Sequence, residues 1–196
     1  RLADNGIDLT KMAIEVSPIA HYHMGGLRVD ESLATDVAGL FAAGEAVGGA
    51  NGANRLSGNA ITEAFVFGEL AGRRAAAMAA SGPALAPDIE DAAQANLAFL
   101  SETADRKGEG NTTEGIVELQ ALMQRDVGPF RTKEGLERAL DGIAALAGRL
   151  PHMSTDGPLT FNQQRADWFA LRNMVEVARS ITTAALAREE SRGAHQ

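Results

Sequence analysis

Three stretches of the chain bring together residue types that could do chemistry. In Ala20-His21-Tyr22-His23-Met24-Gly25-Gly26, two histidines alternate, and on an extended backbone alternate side chains leave the same face. Imidazole donates hydrogen bonds to carboxylates, so His21 is a candidate contact for an acidic small molecule. A core histidine satisfied by its neighbours is the other reading. A metal site is not indicated, because two histidines leave a zinc ion underfilled and no further ligand types cluster beside them. The second stretch, Thr35 to Glu45, reads as a turn, a short apolar run and an acid just past Gly44. Ligands of open α/β sheets gather at such carboxyl ends, and a carboxylate there can accept hydrogen bonds from a polyol. The alternative is a turn acid that only caps the next segment. The third, Gly48 to Ile61, is a Gly/Asn-rich loop with Arg55 in it, running straight into a helical pattern. The start of a helix offers N–H groups and a positive dipole end to an anion, or to a ring that gains negative charge on reduction. Arg55 carries a planar fork matched to a carboxylate. Read blandly, the same loop is a tight turn with a surface arginine. It is not a Walker loop, since no Gly-Lys-Ser/Thr follows.

These residues need elements to hold them. Ile14 to Val16 and Leu40 to Ala43 are short apolar runs bounded by Pro, Gly and acids, and are read as buried strands. From Asn59, placed to cap it, a helical period sets Ile61, Ala64, Phe65, Gly68, Ala71, Gly72 and Ala75 on one face. Ser81-Gly82-Pro83 ends that helix. Four further helices are expected. The first spans Asp88 to Ala104, the second carries Ile116, Leu119, Leu122 and Met123, and the third is capped by Thr132 and carries Leu136, Leu140, Ile143 and Ala147. The last repeats Trp168, Leu171, Val175, Ala178, Thr182 and Ala185 at alternating steps of three and four, the seam of a bundle helix. The expected organisation is therefore α+β: residues 1–80 as the last strands and helix of an α/β domain, 81–87 as a linker, and 88–196 as an all-α helical bundle.

Composition narrows the function classes. The chain has no cysteine, which excludes disulfides, thiolate metal sites and cysteine nucleophiles within it. Its formal net charge is -8, with lysine only at Lys11, Lys107 and Lys133, a poor surface for nucleic acid. No apolar run approaches the roughly 20 residues that cross a bilayer, so no direct membrane insertion is expected. The sequence begins at Arg1 and stops within a charged stretch after Ser191, and is read as a piece of a longer polypeptide.

Taken together, Pro18 to Gly26, Gly39 to Glu45, and Gly52-Ala53-Asn54-Arg55-Leu56 with Gly58-Asn59-Ala60 resemble the succinate dehydrogenase and fumarate reductase flavoprotein family, which includes L-aspartate oxidase. Met123-Gln124, Val127 to Thr132, Asn173-Met174 and Arg188 to His195 look like that family's C-terminal helical domain, so the resemblance covers nearly the whole chain. It implies an FAD enzyme that moves a hydride between flavin and a C4 dicarboxylate. By that resemblance, His21 and Arg55 bind substrate carboxylates, Glu45 binds FAD hydroxyls, and Asn59, Ala60 and Ile61 form the helix start that meets the flavin. It further implies an N-terminal FAD-binding portion of the same protein and a partner in the form of an iron–sulfur subunit. The place it implies is the cytoplasm, or the inner face of a membrane through partner subunits.

The departures carry weight too. The family's Gly-x-Gly-x-x-Gly fingerprint is absent: Gly108-Glu109-Gly110 has Thr113 where the third glycine belongs and follows no strand. No covalent flavin anchor and no proton-transferring arginine are identified, no catalytic residue is assigned, and the chain alone is expected to be inactive. Asn51 stands where many members have His. L-aspartate oxidase is the alternative within the enzyme class. A non-catalytic helical module that docks a partner subunit is the alternative outside it.

Overall fold

The computed structural model describes residues 2–15, 21–82, 88–104, 106–158 and 160–196. Its helices, in chain order, are α1 (Asn59–Ser81), α2 (Ile89–Glu102), α3 (Thr112–Asp126), α4 (Lys133–Arg149) and α5 (Gln163–Leu186). Short 3-10 turns lie at Ala3–Asn5, Gly44–Ala46 and Leu150–His152. Internal contacts divide the chain into two units, residues 1–51 with 55–72, and residues 52–54 with 73–196.

In the helical unit α3, α4 and α5 pack on one another because their apolar residues recur at helical spacing and must leave water together. Leu119, Ile143, Leu146, Leu150, Met153, Trp168, Leu171, Val175 and Ala178 form the main core cluster. On α5 the buried residues are Trp168, Leu171, Val175, Ala178, Thr182 and Ala185, the seam expected from the sequence. Small residues let the helices approach closely: a Cβ on Gly115 would stand 2.6 Å from Leu171 Cδ2, and one on Gly142 would collide with Leu122 Cδ1. Caps fix the helix starts. Asn111 Oδ1 accepts from Thr113 N at 2.8 Å, Thr132 Oγ1 from Gly135 N at 3.1 Å, and Asn162 Oδ1 from Arg165 N at 2.9 Å. Trp168 Nε1 donates to Leu150 O at 2.8 Å, so the buried indole keeps no unsatisfied donor. α2 is a lighter attachment, joined through Phe99, which meets Trp168 and Phe169 at ring-centroid distances of 6.0 and 5.9 Å.

The Gly108-Glu109-Gly110 pair has a packing role. A Cβ on Gly108 would collide with His152 O, while Glu109 N donates to His152 O and Ser154 N to Gly110 O at 3.2 and 3.1 Å. The two glycines let this segment lie along the backbone of residues 152–154.

The other unit is irregular up to α1. The run read as a strand at Leu40 to Ala43 has one antiparallel bridge, Ala34 with Phe41. Of the run Ile14 to Val16, Ile14 is irregular and Val16 lies outside the described residues. A strand exists only when a neighbour accepts its ladder, and here single bridges are what the described residues provide. One close pass needs glycine: Leu27 bridges Val47 in parallel, with Leu27 N donating to Ala46 O at 2.8 Å and Gly48 N to Leu27 O at 3.0 Å. Gly26, at φ 144°, lies so near this pass that a Cβ on it would collide with Ala46 O. Helix α1 keeps the expected span, but of its apolar face only Ala71 is buried, and Ile61 and Phe65 are 65% and 75% exposed.

Candidate functional site

The chemistry-bearing residues expected from the sequence fall in the irregular unit, around the start of α1. Gly58 adopts φ +90° immediately before the helix, a left-handed turn that glycine takes without strain. Asn59 is consequently the first helical residue rather than the residue before it. Asn59 N donates to Leu56 O at 3.2 Å and Ile61 N to Gly58 O at 3.1 Å, so part of the helix start is closed by turn-like bonds. Ala60 is half-buried beside them.

Gly44 takes φ +67°, and its nearest neighbour is Ala64 Cα of α1, 3.4 Å from where a Cβ would stand. The left-handed backbone, which glycine takes without strain, is what the position asks for, and the chain's own helix lies at ordinary contact distance from it. That packing sets Glu45, in the 3-10 turn Gly44–Ala46, beside the first turns of α1. Glu45 Oε1 accepts from the His23 backbone N at 2.8 Å and lies 3.2 Å from His23 Nδ1. The His23 backbone N–H, aided by the His23 ring and the Arg55 charge, holds the Glu45 carboxyl below its ordinary range. Glu45 therefore remains a carboxylate, partly open to solvent, able to accept from hydroxyls.

His21 and His23 separate in role. His23 is the ring tied to Glu45, and His21 is exposed. Tyr22, between them, is half-buried and makes contacts that its sequence context does not foretell. Its hydroxyl donates to Glu63 Oε2 at 2.8 Å, and Asn51 Nδ2 donates to Glu63 Oε1 at 3.3 Å. The Glu63 carboxylate pushes the Tyr22 hydroxyl above its ordinary value, which keeps it protonated. Arg55 lies with its guanidinium carbon 4.4 Å from the Tyr22 ring centroid, and its Nη1 donates to Leu56 O at 2.9 Å. The only sequence signal for Tyr22 is its place between the histidines. Glu63 carries none beyond lying off the apolar face of α1.

The backbone around this cluster is open. Nothing lies within 4 Å of a Cβ position on Gly49 or Gly58, and Leu56 is 74% exposed. Uncovered glycine backbone, a helix start, a carboxylate for hydroxyls and exposed apolar side chains suit a flat, amphiphilic, hydroxyl-bearing group such as a flavin with its ribityl chain. The residues present fit one side of such a group. Among the described residues no cluster of His, Asp and Glu is arranged to hold a metal ion, and no described helix is long and apolar enough to cross a membrane.

Comparison with known proteins gives the same direction. Residues 3–61 match the FAD binding domain family, and residues 117–196 match the family described as fumarate reductase flavoprotein C-term. An FAD-dependent oxidoreductase of Methanocaldococcus jannaschii is 39% identical over 97% of this chain and 34% of its own length. The fumarate reductase flavoprotein subunit of Escherichia coli is 37% identical over 97% of this chain and 32% of its own length. The solved Escherichia coli quinol fumarate reductase FrdA, carrying a point mutation, superposes with a TM-score of 0.87 at 35% identity, covering all of this chain and 34% of that one. The chain thus spans about a third of the length of the relatives it matches.

Proposed function

Because residues 3–61 match an FAD binding domain and residues 117–196 match the fumarate reductase flavoprotein C-term family, we propose that this chain is part of an FAD-dependent oxidoreductase acting on a C4 dicarboxylate. The observation that carries the reading is the gathering of Arg55, Tyr22, His23 and Glu45 at the start of α1, within a unit whose residues 3–61 match an FAD binding domain. In this reading His21 and Arg55 bind the substrate carboxylates and so orient the reacting carbons. Glu45 accepts from FAD hydroxyls, and Asn59, Ala60 and Ile61 present the positive end of α1 to the flavin. Bound flavin supplies the hydride donor and acceptor. Residues 1–80 are the share of the flavin and capping region, residues 81–87 a linker, and residues 88–196 the helical domain. The Gly-x-Gly-x-x-Gly loop and the acid–base residue belong to an N-terminal portion of the same protein. An iron–sulfur subunit is the electron partner, and the complex works in the cytoplasm or at the inner membrane face through its partners.

The test is turnover by the full-length protein. Fumarate reduction and succinate oxidation with artificial dyes are expected, while turnover of L-aspartate instead would make it an L-aspartate oxidase. Arg55→Ala should lower turnover by orders of magnitude while flavin absorbance persists, as loss of a carboxylate clamp does. Near-normal turnover in that variant removes Arg55 from the site. For the chain by itself, an FAD titration with and without malonate should show no tight binding.

A further inference from the structure

We propose that Tyr22 and Glu63 are positioning residues for Arg55, holding its guanidinium face against the Tyr22 ring so that its N–H edge is aimed for a substrate carboxylate. The inference rests on the reading of Arg55 as the carboxylate clamp and adds residues that reading does not contain.

Glu63 lies one helical turn after Asn59, on the most regular element of its unit. Each of its carboxylate oxygens accepts from a different segment: Oε2 from the Tyr22 hydroxyl at 2.8 Å and Oε1 from Asn51 Nδ2 at 3.3 Å. One side chain therefore pins both the segment carrying His21 and the Gly/Asn loop carrying Arg55 to the same turn of α1. Arg55 then stacks at 4.4 Å over the ring that Glu63 has fixed. A guanidinium stacked on a ring uses its face and leaves its in-plane donors for in-plane acceptors, and one of these goes to Leu56 O at 2.9 Å. A carboxylate accepting the phenol hydrogen also enriches the ring in electron density, which strengthens its attraction for the cation. Among the described residues of this unit few side chains are buried, with Leu33, Ala42 and Ala71 as the buried apolar ones. The polar chain Asn51–Glu63–Tyr22 fixes the ring on which Arg55 stacks and so adds a restraint to its bond with Leu56 O.

The prediction is a split between substrate affinity and rate in the full-length flavoprotein, measured by dye-coupled fumarate reduction and by malonate inhibition. Tyr22→Leu, which removes the ring, should raise KM and the malonate inhibition constant about tenfold. Flavin content should be unchanged and kcat within about twofold. Tyr22→Phe keeps the ring and should restore most of that affinity. Glu63→Gln keeps the shape but not the charge, and should raise KM about threefold. That variant carries the test if Tyr22→Leu does not fold. Wild-type KM and malonate affinity in Tyr22→Leu, or in Glu63→Gln when the former is unfolded, overturn the proposal, as does a joint fall of flavin content and kcat that marks a merely structural contact. Arg55→Ala in the same assay separates the two readings. If it is inactive while Tyr22→Leu is normal, the clamp stands and the positioning role falls. If Arg55→Ala is normal, the clamp reading itself falls.

Discussion

Asp126, at the end of α3, is 5% exposed, yet its carboxylate meets two guanidinium groups, Arg125 Nη2 at 2.6 Å and Arg138 Nη2 at 2.8 Å. The Arg125 hydrogen bond, followed by that of Arg138, holds its carboxyl below the ordinary value against the opposing effect of burial. A lowered folded-state pKa contributes stability above the unfolded carboxylate range and loses it as pH falls through the folded value. The arginine side chains are largely solvated, so Asp126→Ala should cost only about 1–2 kcal/mol in urea unfolding at neutral pH. The difference from wild type should shrink between about pH 5 and pH 3, and a difference that grows on acidification would contradict the assignment. At the candidate site, Glu45 keeps its charge through the His23 N–H. Glu45→Gln in the full-length protein should weaken FAD binding about tenfold by titration. An unchanged FAD affinity would remove Glu45 from the cofactor site.

The helices divide into those fixed by packing and those fixed by position. Gly115 faces Leu171, which is fully buried and has nowhere to move. Gly115→Ala should therefore destabilise the helical unit by about 1–3 kcal/mol through overpacking. Gly148, near the end of α4, has nothing within 4 Å of its Cβ position, so Gly148→Ala should stabilise by about 0.5–1 kcal/mol through helix propensity and a stiffer unfolded chain. Two glycines thus carry opposite signs, and thermal unfolding of the two variants decides the matter. The Thr132 cap is a third element-scale case, with Thr132→Ala expected to cost about 1 kcal/mol. α2 has no buried residue and leans on Phe99 alone for its ring contacts, so it is the helix of this unit expected to fray first.

At the scale of the molecule, the two units differ in what they bury. The helical unit has a continuous core from Leu119 to Ala178, while α1 leaves Ile61, Phe65 and Val66 exposed at 65%, 75% and 56%. Ile61 and Phe65, one turn apart, make an exposed apolar patch on a chain about a third as long as its relatives. In the isolated chain, amides of α3, α4 and α5 should exchange only through cooperative unfolding. Those of residues 21–58 and the start of α1 should exchange far faster. Uniform protection along a monomer would contradict this. Trp168 is the single tryptophan and is 4% exposed, so its fluorescence reports the unfolding of the helical unit alone.

The helix spans and the buried seam of α5 are legible in the sequence alone, whereas the expected apolar face of α1 is largely exposed. The spacing from Trp168 to Ala185 and the position of Thr132 are local properties, and a periodic apolar face or a capping hydroxyl acts through neighbours three or four residues away. The sequence also marked Arg55 and Glu45, because glycine, arginine and acid at those places have chemistry legible without contacts. The tertiary structure decided what long-range partners control. Leu40 to Ala43, a plausible strand by composition, forms one bridge because a ladder depends on a distant segment. Gly44, in a left-handed conformation, lies against Ala64 of α1. Glu63, separated by 41 residues from Tyr22, joins the site only because α1 returns past the histidine segment. Hydrogen bonds across such separations leave no periodicity in the sequence, so the residues that orient Arg55 become visible only once the chain is folded.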